Sequence, residues 1–407
     1  MVCLYLVIWA FKIEMMNFQK SVLLSSLLIV ALCCNNTSTN NSVVSNAVDN
    51  SFPAITEASA KLPLESIKLP KGFSISIFAE VEDARSMALS PGGTLFVGNR
   101  GEDKVYAVKD TDGDFKADKK WVIASGLNMP NGVAFKDGAL YVAEINQIHK
   151  FSDIESKLAA PGKSQIVYDK FPTEKHHGWK YIAFGPDGKL YVPVGAPCNI
   201  CESKDPVFAS ITRMNSDGSG LEVYANGVRN TVGFTWHPET KNIWFTDNGR
   251  DMMGDDTPPC ELNTATKAGQ HFGYPYCHGG TIKDPEFGNK KACSEFVQPA
   301  QNLGAHVAPL GLKFYTASMF PVEYKNQIIL AEHGSWNRSK KSGYKLSLVK
   351  VDKSNAATSY TTFASGWLDE TTQKVWGRPV DVLLLPDGSM LVSDDYAGVI
   401  YRISYKG

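Results

Sequence analysis

The sequence predicts an all-β protein with the fold of a six-bladed β-propeller. The main observation is a pattern that occurs six times: an apolar run ends in a tight polar turn, and a short apolar strand follows at once. This pattern is typical of a β-hairpin, and hairpins that recur along one chain at such intervals are typical of propeller blades. The turn residues are Gly93, Gly138, Gly188, Asn242, Asn326 and Gly388, separated by 45, 50, 54, 84 and 62 residues.

The six hairpins follow one another in chain order, each with Asp-Gly, Gly-Gly or Lys-Asn at its turn. We predict that the strand before each turn is the innermost strand of its blade. The hairpins are SMALSPGGTLFVGNR from Ser86, GVAFKDGALYVAE from Gly132, YIAFGPDGKLYVPVG from Tyr181, VGFTWHPETKNIWFTDNG from Val232, FYTASMFPVEYKNQIILAEHG from Phe314 and VDVLLLPDGSMLVSDDYAG from Val380.

One domain, residues 62–407, accounts for all six blades. Within it, GFSISIFAE from Gly72 is predicted to pair with the last strand, GVIYRIS from Gly398, which closes the ring and removes the free sheet edges. The gap from Arg250 to His306 is rich in Gly, Pro, Cys and His and has little strand pattern. A long irregular insertion in a rigid scaffold is typical of a functional segment or of a cap over a site.

The composition is that of a globular protein. The chain has 407 residues, 43% of them hydrophobic and 11% aromatic, with a formal net charge of −1. This provides ample material for a core, and the near-neutral charge gives no reason to expect a nucleic-acid partner.

Residues 1–34 have the pattern of a signal peptide. Lys20 precedes the apolar run SVLLSSLLIVALCC, and neither this run nor the one before it reaches the roughly 18–20 residues of a membrane-spanning helix. The sequence before Cys33 resembles a bacterial lipobox, with Cys34 as the other candidate, and residues 35–61 form a polar tether. The prediction is an exported protein, either periplasmic or anchored to a membrane as a lipoprotein. Ordinary cleaved secretion remains the alternative.

Five cysteines follow the signal segment. In an exported protein, cysteines are expected to form disulfides. We predict one bridge between Cys198 and Cys201 and a second between Cys277 and Cys293, which leaves Cys260 free. A zinc site that includes Cys277 and its neighbour His278 stays open as an alternative, and sequence alone does not decide the pairing.

Two polar motifs precede the third and fourth hairpins, where loops should open onto the central channel. The first contains His177, which has the chemistry of a general base. The second contains Arg229 and Asn230, and an arginine beside a histidine points to an anionic ligand or a developing oxyanion. Taken singly, each motif is also compatible with a structural histidine or a surface arginine.

Two further stretches carry oxygen ligands suited to Ca²⁺. Thr246–Asn263 combines carboxylates with a glycine-bent backbone and prolines. Asp110–Asp118 has carboxylates at alternate positions, but Gly113 occupies the fourth place instead of the sixth place used in an EF-hand. A solvated acidic turn explains the second stretch equally well.

The combination of motifs resembles the soluble pyrroloquinoline-quinone-dependent sugar dehydrogenases, the glucose and sorbosone dehydrogenase group. The resemblance rests on His177 with GPDGKLY eight residues on, on NGVRN, and on Pro-Pro-x-Glu-Leu-Asn followed by Gly-Tyr-Pro. It extends from about Leu69 to Ser404, in the same order. The fold of this family is a six-bladed propeller.

The resemblance also implies roles for individual residues. His177 matches the catalytic base, and Arg229 with Asn230 matches the pair beside the quinone, where the arginine stabilises charge on the reduced cofactor oxygen. The remaining matches are Gly249 and Arg250 as backbone ligands of the Ca²⁺ that polarises the quinone, Glu261 as a ligand of a separate structural Ca²⁺, and Arg338 and Arg378 as partners of the cofactor carboxylates.

Three positions differ from the glucose-type members. Val380 replaces a second arginine, Gly304–His306 replaces aromatic residues that wall the cofactor, and Cys260 replaces a carboxylate. These differences favour the sorbosone-type branch.

The resulting hypothesis is a quinoprotein that oxidises an aldose or a sugar aldehyde with pyrroloquinoline quinone and Ca²⁺ and passes the electrons to an unknown acceptor. A small-molecule sugar is the expected partner, and contact with a membrane is expected only through the lipid anchor. A Ca²⁺-dependent propeller lactonase and a propeller binding module that lost the cofactor are the alternatives.

Overall fold

Six β-sheets follow one another along residues 61–407, the part of the chain that the computed structural model describes. The strands of the first three sheets are β2 (Met87–Leu89), β3 (Leu95–Val97), β4 (Val105–Lys109), β5 (Lys119–Ala124), β6 (Gly132–Lys136), β7 (Ala139–Ala143), β8 (Ile148–Phe151), β9 (Gln165–Tyr168), β10 (Ala183–Phe184), β11 (Leu190–Val194), β12 (Ser210–Met214) and β13 (Glu222–Asn226). Those of the last three are β14 (Phe234–Trp236), β15 (Ile243–Asp247), β16 (Pro259–Ala265), β20 (Gln301–Ala305), β21 (Pro309–Phe314), β22 (Ile328–Glu332), β23 (Lys345–Val351), β24 (Ala357–Ala364), β25 (Pro379–Leu384), β26 (Met390–Asp394), β27 (Val399–Tyr405) and β1 (Phe73–Glu80).

Each sheet is one blade of a propeller. Strands β2–β5, β6–β9 and β10–β13 form the first three blades, and β21–β24 form the fifth. The first strands of neighbouring blades contact one another, β2 with β6, β6 with β10, β14 with β21, β21 with β25 and β25 with β2, which places them around a central axis. The six-bladed all-β fold is confirmed, and so is the innermost position of the strand before each turn.

The ring closes through the two ends of the described chain. Strand β1 pairs antiparallel with β27, from Phe73 opposite Tyr405 to Glu80 opposite Val399. The last blade therefore takes three strands from the end of the chain and one from its beginning, as predicted. Because the two strands pair, the edge of β27 that faces β1 is not exposed.

The core lies between the blades. Leu95, Phe96 and Val97 in β3 are all fully buried, because Leu95 and Val97 pack toward the sixth blade while Phe96 packs toward the second. In the same way, Trp244 packs toward the fifth blade and Phe245 packs toward the third. Side chains alternate across a strand, and a strand buried on both faces is apolar throughout. This explains the short apolar runs of the hairpin pattern.

Five of the six predicted turn residues have a left-handed backbone. The positive φ values belong to Gly93, Gly138, Gly188, Asn326 and Gly388. At the fourth turn the left-handed residue is Lys241 (φ 61°), not the neighbouring Asn242. Within that turn, His237 accepts the backbone N–H groups of Glu239 and Thr240 through its Nδ1, at 3.2 Å each.

The expectation that Arg250–His306 has little strand structure is wrong. The outer two strands of the fourth blade, β16 and β20, lie within this stretch. Residues 266–300 between them add β17 (Gln270–His271), which pairs in parallel with β13, and the hairpin of β18 (Cys277–His278) and β19 (Ile282–Lys283). The irregular part is therefore an insertion between two strands of one blade.

Both predicted disulfides are present. Cys198 is bonded to Cys201 and Cys277 to Cys293, and Cys260 is a buried free thiol. The zinc alternative is thereby excluded for these cysteines. The predicted signal segment and tether lie, up to residue 60, outside the described residues. Within residues 61–407, no helix combines the length and the apolar character needed to cross a membrane.

Candidate active site

A cavity of about 490 Å³ lies where the loops of the blades converge around the channel. Most of its walls come from loops that enter the first strand or leave the second strand of a blade, and every blade except the second contributes. Its volume is within the range of roughly 300–1,000 Å³ that is usual for small-molecule sites. The predicted site residues that line it are His177, Arg229, Asn230, Gly249 and Arg378.

His177 lies in the loop before β10 and is 8% exposed. Its Nδ1 is 2.9 Å from the carbonyl oxygen of Ala196. A carbonyl only accepts, so Nδ1 carries the proton and Nε2, which has no partner among the described residues, is the free acceptor. Burial, with the positive charge of Arg229, lowers the pKa of His177 to about 2. The imidazole is therefore neutral near neutral pH and can accept a proton at Nε2.

The position of His177 depends on Gly195, which directly follows β11. A Cβ atom at Gly195 would lie 2.5 Å from Cβ of His177 and 2.7 Å from its carbonyl oxygen. His177 itself has a left-handed backbone (φ 51°). The neighbouring His176 is exposed and does not line the cavity, although the two imidazole rings are only 4.0 Å apart.

The guanidinium of Arg229 is fully used within the protein. Its Nε and Nη2 donate to the carbonyl and side-chain oxygens of Asn199 (2.9 and 2.8 Å), and Nη2 also donates to Asp251 (3.2 Å). Its Nη1 donates to the carbonyls of Asn248 (3.1 Å) and Gly249 (2.9 Å). A guanidinium has five N–H donors, so none remains for a ligand. In this arrangement Arg229 contributes charge to the cavity but not the predicted hydrogen bond to a quinone oxygen.

Asp247, the last residue of β15, holds the backbone of the Arg229–Asn230 motif. Its carboxylate accepts the N–H of Arg229 at 2.8 Å and that of Asn230 at 2.7 Å. Burial raises the pKa of Asp247 to about 6, although these hydrogen bonds oppose the shift. The side-chain amide of Asn230 lines the cavity and makes no hydrogen bond with the residues that the structure describes. It is therefore available to a ligand.

The Cys198–Cys201 disulfide holds the loop that accepts hydrogen bonds from Arg229. Asn199, which accepts from Arg229, lies between the bridged cysteines, and its side-chain oxygen also accepts the backbone N–H of Asp251 at 2.8 Å. The bridge thus fixes the loop that carries this acceptor.

Two arginines of the cavity wall have no carboxylate within 4.0 Å among the described residues. Arg378 donates through Nε and Nη2 to the carbonyls of His333 (3.0 Å) and Gly334 (2.8 Å), which leaves Nη1 free. Arg100 makes no side-chain hydrogen bond in this part of the chain and lies 4.5 Å above the ring of Trp179. Burial lowers the pKa of Arg100. Asp83 and Asp395 act on Arg100 only through their charge. Two arginines without a direct carboxylate partner favour a ligand with separate negative groups.

A polar group beside Arg378, whose Nε donates to the carbonyl of His333, was not predicted from the sequence. His333 donates from Nε2 to Asp395 at 2.8 Å, and Arg85 pairs with the other carboxylate oxygen at 2.5 Å. Burial favours the neutral acid, but His333 and Arg85 outweigh it and hold the pKa of Asp395 below its usual range. Burial lowers the pKa of His333 to about 4. His333 and Asp395 directly follow β22 and β26, the second strands of their blades. That position is the feature of the sequence from which they could have been predicted at the cavity.

The floor of the cavity is apolar. Val232, Leu310 and Val380 form a buried cluster with Trp179 packed against it, and of the three only Leu310 lines the cavity. Val380 occupies the position where the glucose-type enzymes carry their second arginine. A guanidinium there would have to enter this cluster, so the loss of that arginine goes together with a closed floor.

Arg338 does not line the cavity. Its Nη2 contacts Asp256 at 2.6 Å and its Nε donates to the carbonyl of Asp255 at 3.0 Å. Contact of Arg338 with a cofactor carboxylate stays a prediction. Arg338 ties the loop after β22 to the loop after β15.

The backbone carbonyls of Gly249 and Arg250 stay the predicted ligands of a central Ca²⁺. The carbonyl of Gly249 already accepts from Arg229, and a guanidinium and a cation repel each other at one oxygen. Arg250 lies outside the cavity wall, where it pairs with Asp284 at 2.5 Å, and Asp284 also binds His278 at 3.0 Å. A cation at the Gly249 carbonyl would have to replace the hydrogen bond from Arg229, and no chemical step is derived from a central Ca²⁺.

Glu261 lines a separate cavity of about 10 Å³ together with Asp247. This is about the size that holds a single water molecule or ion. The carboxylate of Glu261 accepts from the N–H of Gly279 (2.6 Å) and from Asn263 (2.9 Å). Burial and the charge of Asp247 raise the pKa of Glu261 to about 8. Arg229 also lines this space. Two buried carboxylates and one guanidinium leave a net negative charge, which one cation compensates.

The acidic stretch Asp110–Asp118 forms a different cluster. Ligand atoms of Asp110, Asp112 and Asp118 lie within 4.8 Å of one another, the only such group of three in residues 61–407. The cluster is in the loop between β4 and β5, and none of the three lines the central cavity.

Comparison with known proteins gives matches over most of the chain. An uncharacterised protein of Borreliella burgdorferi is 35% identical over 369 residues, which cover 87% of this chain and 94% of that protein. The holo form of the pyranose dehydrogenase PQQ domain from Coprinopsis cinerea matches with a TM-score of 0.72 and 18% identity, over 83% of this chain and 97% of that one. The PQQ-bound aldose sugar dehydrogenase from Streptomyces coelicolor matches with a TM-score of 0.60 and 20% identity, over 83% and 100%.

These structures share the fold of this chain, in agreement with the predicted resemblance to the soluble quinoprotein sugar dehydrogenases. The family model described as TrAA12-like matches residues 67–406, which is nearly the whole propeller. The chain therefore belongs to the TrAA12-like family.

Proposed function

We propose that the protein is a quinoprotein oxidoreductase that oxidises an aldose or a sugar aldehyde of the sorbosone type with bound pyrroloquinoline quinone. The observation that carries this proposal is the central cavity, in which a neutral histidine with a free nitrogen faces arginines that have no carboxylate partner. The likeness to a pyranose dehydrogenase and to an aldose sugar dehydrogenase supports it. A separate electron acceptor completes the turnover.

The cavity fits the quinone, which is a planar tricarboxylate. Arg100 and Arg378 offer free guanidinium donors to its carboxylates, and Asn230 offers an unpaired amide. The cavity volume of about 490 Å³ leaves room for a ligand of this size together with a sugar. When bound, the quinone supplies a two-electron acceptor for the hydride that leaves the substrate carbon.

His177 has the base role in this proposal. Nε2 accepts the proton of the reacting hydroxyl, while the Nδ1–H bond to Ala196 fixes the tautomer and the ring orientation. His333 is the second candidate base, because its Nε2 is bonded to Asp395 and its Nδ1 is the unprotonated nitrogen. The apolar floor below the site limits access of water from the channel.

Reconstitution tests the proposed function directly. The purified protein is titrated with pyrroloquinoline quinone, and dye reduction is then measured across a panel of aldoses and sugar aldehydes. We expect saturable cofactor uptake and dye reduction with at least one sugar. If the protein takes up no quinone, the binding-module alternative replaces this proposal, and lactone hydrolysis by the same preparation would favour the lactonase.

We expect the Arg100→Ala and Arg378→Ala substitutions to weaken quinone binding by about 10- to 100-fold each, because a charge-assisted hydrogen bond contributes roughly 1.5–3 kcal/mol. The measurement is a fluorescence titration of each variant with the quinone. Arg402→Ala, which removes a partly exposed arginine paired with Asp387 away from the cavity, is the matched control and should bind the quinone like the parent protein. Unchanged affinity in both cavity variants would contradict the assigned cofactor contacts.

We also propose that one Ca²⁺ binds between Glu261 and Asp247, where it stabilises the fourth blade. The pKa of Glu261 rises from an ordinary value of 4.5 to about 8 in the metal-free fold. Between these values the folded protein binds a proton that the unfolded chain has lost, so the free energy of unfolding decreases as the pH rises. A bound cation removes this penalty.

The prediction for this site is a calcium-dependent stability profile. In EDTA, the melting temperature should decrease between pH 5 and pH 8, and added Ca²⁺ should restore it. Glu261→Gln should lose the decrease between pH 6 and pH 8 and the response to Ca²⁺, whereas Glu370→Gln, an exposed control, should keep both. Identical melting curves with EDTA and with Ca²⁺ at pH 8 would contradict the site.

The signal segment leads to a proposal about location. We infer from residues 1–34 that the protein is exported and that residues 35–61 tether it, either free in the periplasm or through a lipid on Cys33 or Cys34. Labelling cells with a fatty acid analogue, for the parent protein and a variant with both cysteines replaced by serine, separates the two outcomes.

A further inference from the structure

Two large aromatic side chains of the cavity wall are exposed instead of buried. Trp336 is 71% exposed and Tyr396 is 62% exposed, and both line the central cavity. The other large apolar side chains that are exposed in residues 61–407 do not line it: Phe115, Val122, Ile166, Met252 and Val322. An exposed aromatic side chain loses the stabilisation of burial, so its presence at a cavity points to a ligand.

The two aromatic residues come from neighbouring blades and flank one polar group. Trp336 follows His333 by three residues in the loop after β22, and Tyr396 directly follows Asp395 in the turn after β26. His333 and Asp395 are joined by their 2.8 Å hydrogen bond. Each aromatic side chain is therefore attached within three residues of one member of a single hydrogen-bonded pair.

The backbone that carries each aromatic side chain is fixed. On one side of Trp336, the N–H of Ser335 donates to the carbonyl of Ser342 at 2.9 Å. On the other side, the side-chain amide of Asn337 donates to the carboxylate of Asp251 at 2.9 Å. The N–H of Tyr396 donates to Asp394 at 3.0 Å. Free side chains on a fixed backbone form a pre-organised contact surface.

A pyranose ring has the matching chemistry. Its faces present C–H groups that pack on aromatic rings, and its edge presents hydroxyls that hydrogen-bond to charged and polar groups. An open-chain aldehyde of three carbons has the hydroxyls but lacks the apolar face. The exposed aromatic pair beside His333 and Asp395 thus distinguishes cyclic from short open-chain substrates.

We propose that Trp336 and Tyr396 hold the pyranose ring of the substrate and make the enzyme selective for cyclic sugars. This inference rests on the proposed function. Neither residue touches the hydroxyl proton that His177 accepts, so both are specificity residues, with an effect on KM and not on the chemical step.

The test compares three variants with the parent protein. For each it measures kcat/KM with two substrates and the affinity for the quinone. D-glucose is the pyranose probe and glyceraldehyde the open-chain probe, and the variants are Trp336→Ala, Trp336→Phe and Tyr396→Ala. We expect Trp336→Ala and Tyr396→Ala to lower kcat/KM for glucose by about 10-fold each, mainly through KM, because each loses one aromatic contact surface. Trp336→Phe should retain most of the activity. Glyceraldehyde oxidation and quinone affinity should stay within about 2-fold of the parent protein.

Val322→Ala is the control for removal of an exposed apolar side chain outside the cavity. An equal loss for glucose and glyceraldehyde, or a loss of quinone affinity in Trp336→Ala, would overturn the inference, since Trp336 would then hold the cofactor.

Binding of methyl α-D-glucopyranoside, whose blocked C1 cannot be oxidised, separates this inference from the proposed function. Saturation-transfer NMR on the full chain should detect this sugar with the parent protein and not with Trp336→Ala. If no sugar is oxidised but the glucoside binds in this Trp336-dependent way, the dehydrogenase function fails and the pyranose site stands. If sugars are oxidised and Trp336→Ala binds the glucoside normally, the function stands and the pyranose site fails.

Discussion

The His177→Ala variant is expected to lose about 10²–10⁴-fold in kcat, which is the usual contribution of a positioned general base. Quinone affinity and the melting temperature should change little, because the imidazole has only one hydrogen bond to lose, that of Nδ1 to Ala196. Burial and the charge of Arg229 lower the pKa of His177 to about 2. The base is therefore deprotonated at every pH at which the fold is expected to be stable, and its titration should cause no decrease in kcat/KM between pH 5 and pH 8.

His176→Ala is the matched control, because this neighbouring histidine is exposed and outside the cavity wall. Its kcat should stay within about 3-fold of the parent value. Full activity of His177→Ala would shift the base role to His333, and a pH profile with an acid limb near pH 4 would agree with that reassignment, since burial lowers the pKa of His333 to about 4.

The second large effect is expected on stability. Arg229→Ala should decrease the free energy of unfolding by about 3–5 kcal/mol, the usual result of removing one partner of a buried charged pair. The substitution leaves the acceptors of Asn199, Asn248 and Gly249 without their donor and removes the partner of Asp251. Urea unfolding followed by tryptophan fluorescence measures the change.

Arg213→Ala is the control for this prediction, because Arg213 pairs with Asp187 and Glu222 at the surface. Such pairs contribute about 0–1 kcal/mol. If Arg229→Ala keeps its stability but loses quinone affinity, then Arg229 turns toward the cofactor as the family resemblance implies. The hydrogen bonds of Arg229 within the protein then contribute little to stability.

The hairpin pattern was sufficient to predict the blades because it is local. A turn such as the one at Gly138 and the two strands beside it lie within about a dozen residues, so propensity and periodicity act on the same short segment. The outer strands β16 and β20 escaped prediction for the opposite reason. β16 has the sequence PCELNTA, in which apolar and polar residues alternate only over Cys260–Asn263, and residues 266–300 separate it from β20.

The candidate site was predicted only where a motif identifies the position of a residue in a blade. His177, Asn230 and Arg378 were placed correctly at the cavity, since each precedes an innermost strand. The directions of the side chains of Arg250 and Arg338 follow from carboxylates in other loops, Asp284 and Asp256, which local sequence does not reveal.

The Arg85–Asp395 pair was out of reach of sequence reasoning for a related reason. The two residues are 310 positions apart, and only the closed ring brings them together. Arg100 carries no motif of its own, and its importance follows from the absence of a carboxylate partner in the described fold.

The closure of the ring by β1 and β27 has a consequence for biosynthesis. Strand β27, the partner of β1, follows all six hairpins in the chain, so β1 cannot pair before the rest of the propeller has been synthesised. The Arg85–Asp395 contact joins the first and last blades and forms at the same step. A nascent or C-terminally truncated chain thus lacks both its seam and one wall of its cavity. The seam and this wall of the cavity therefore form only after the strands of all six blades have been synthesised.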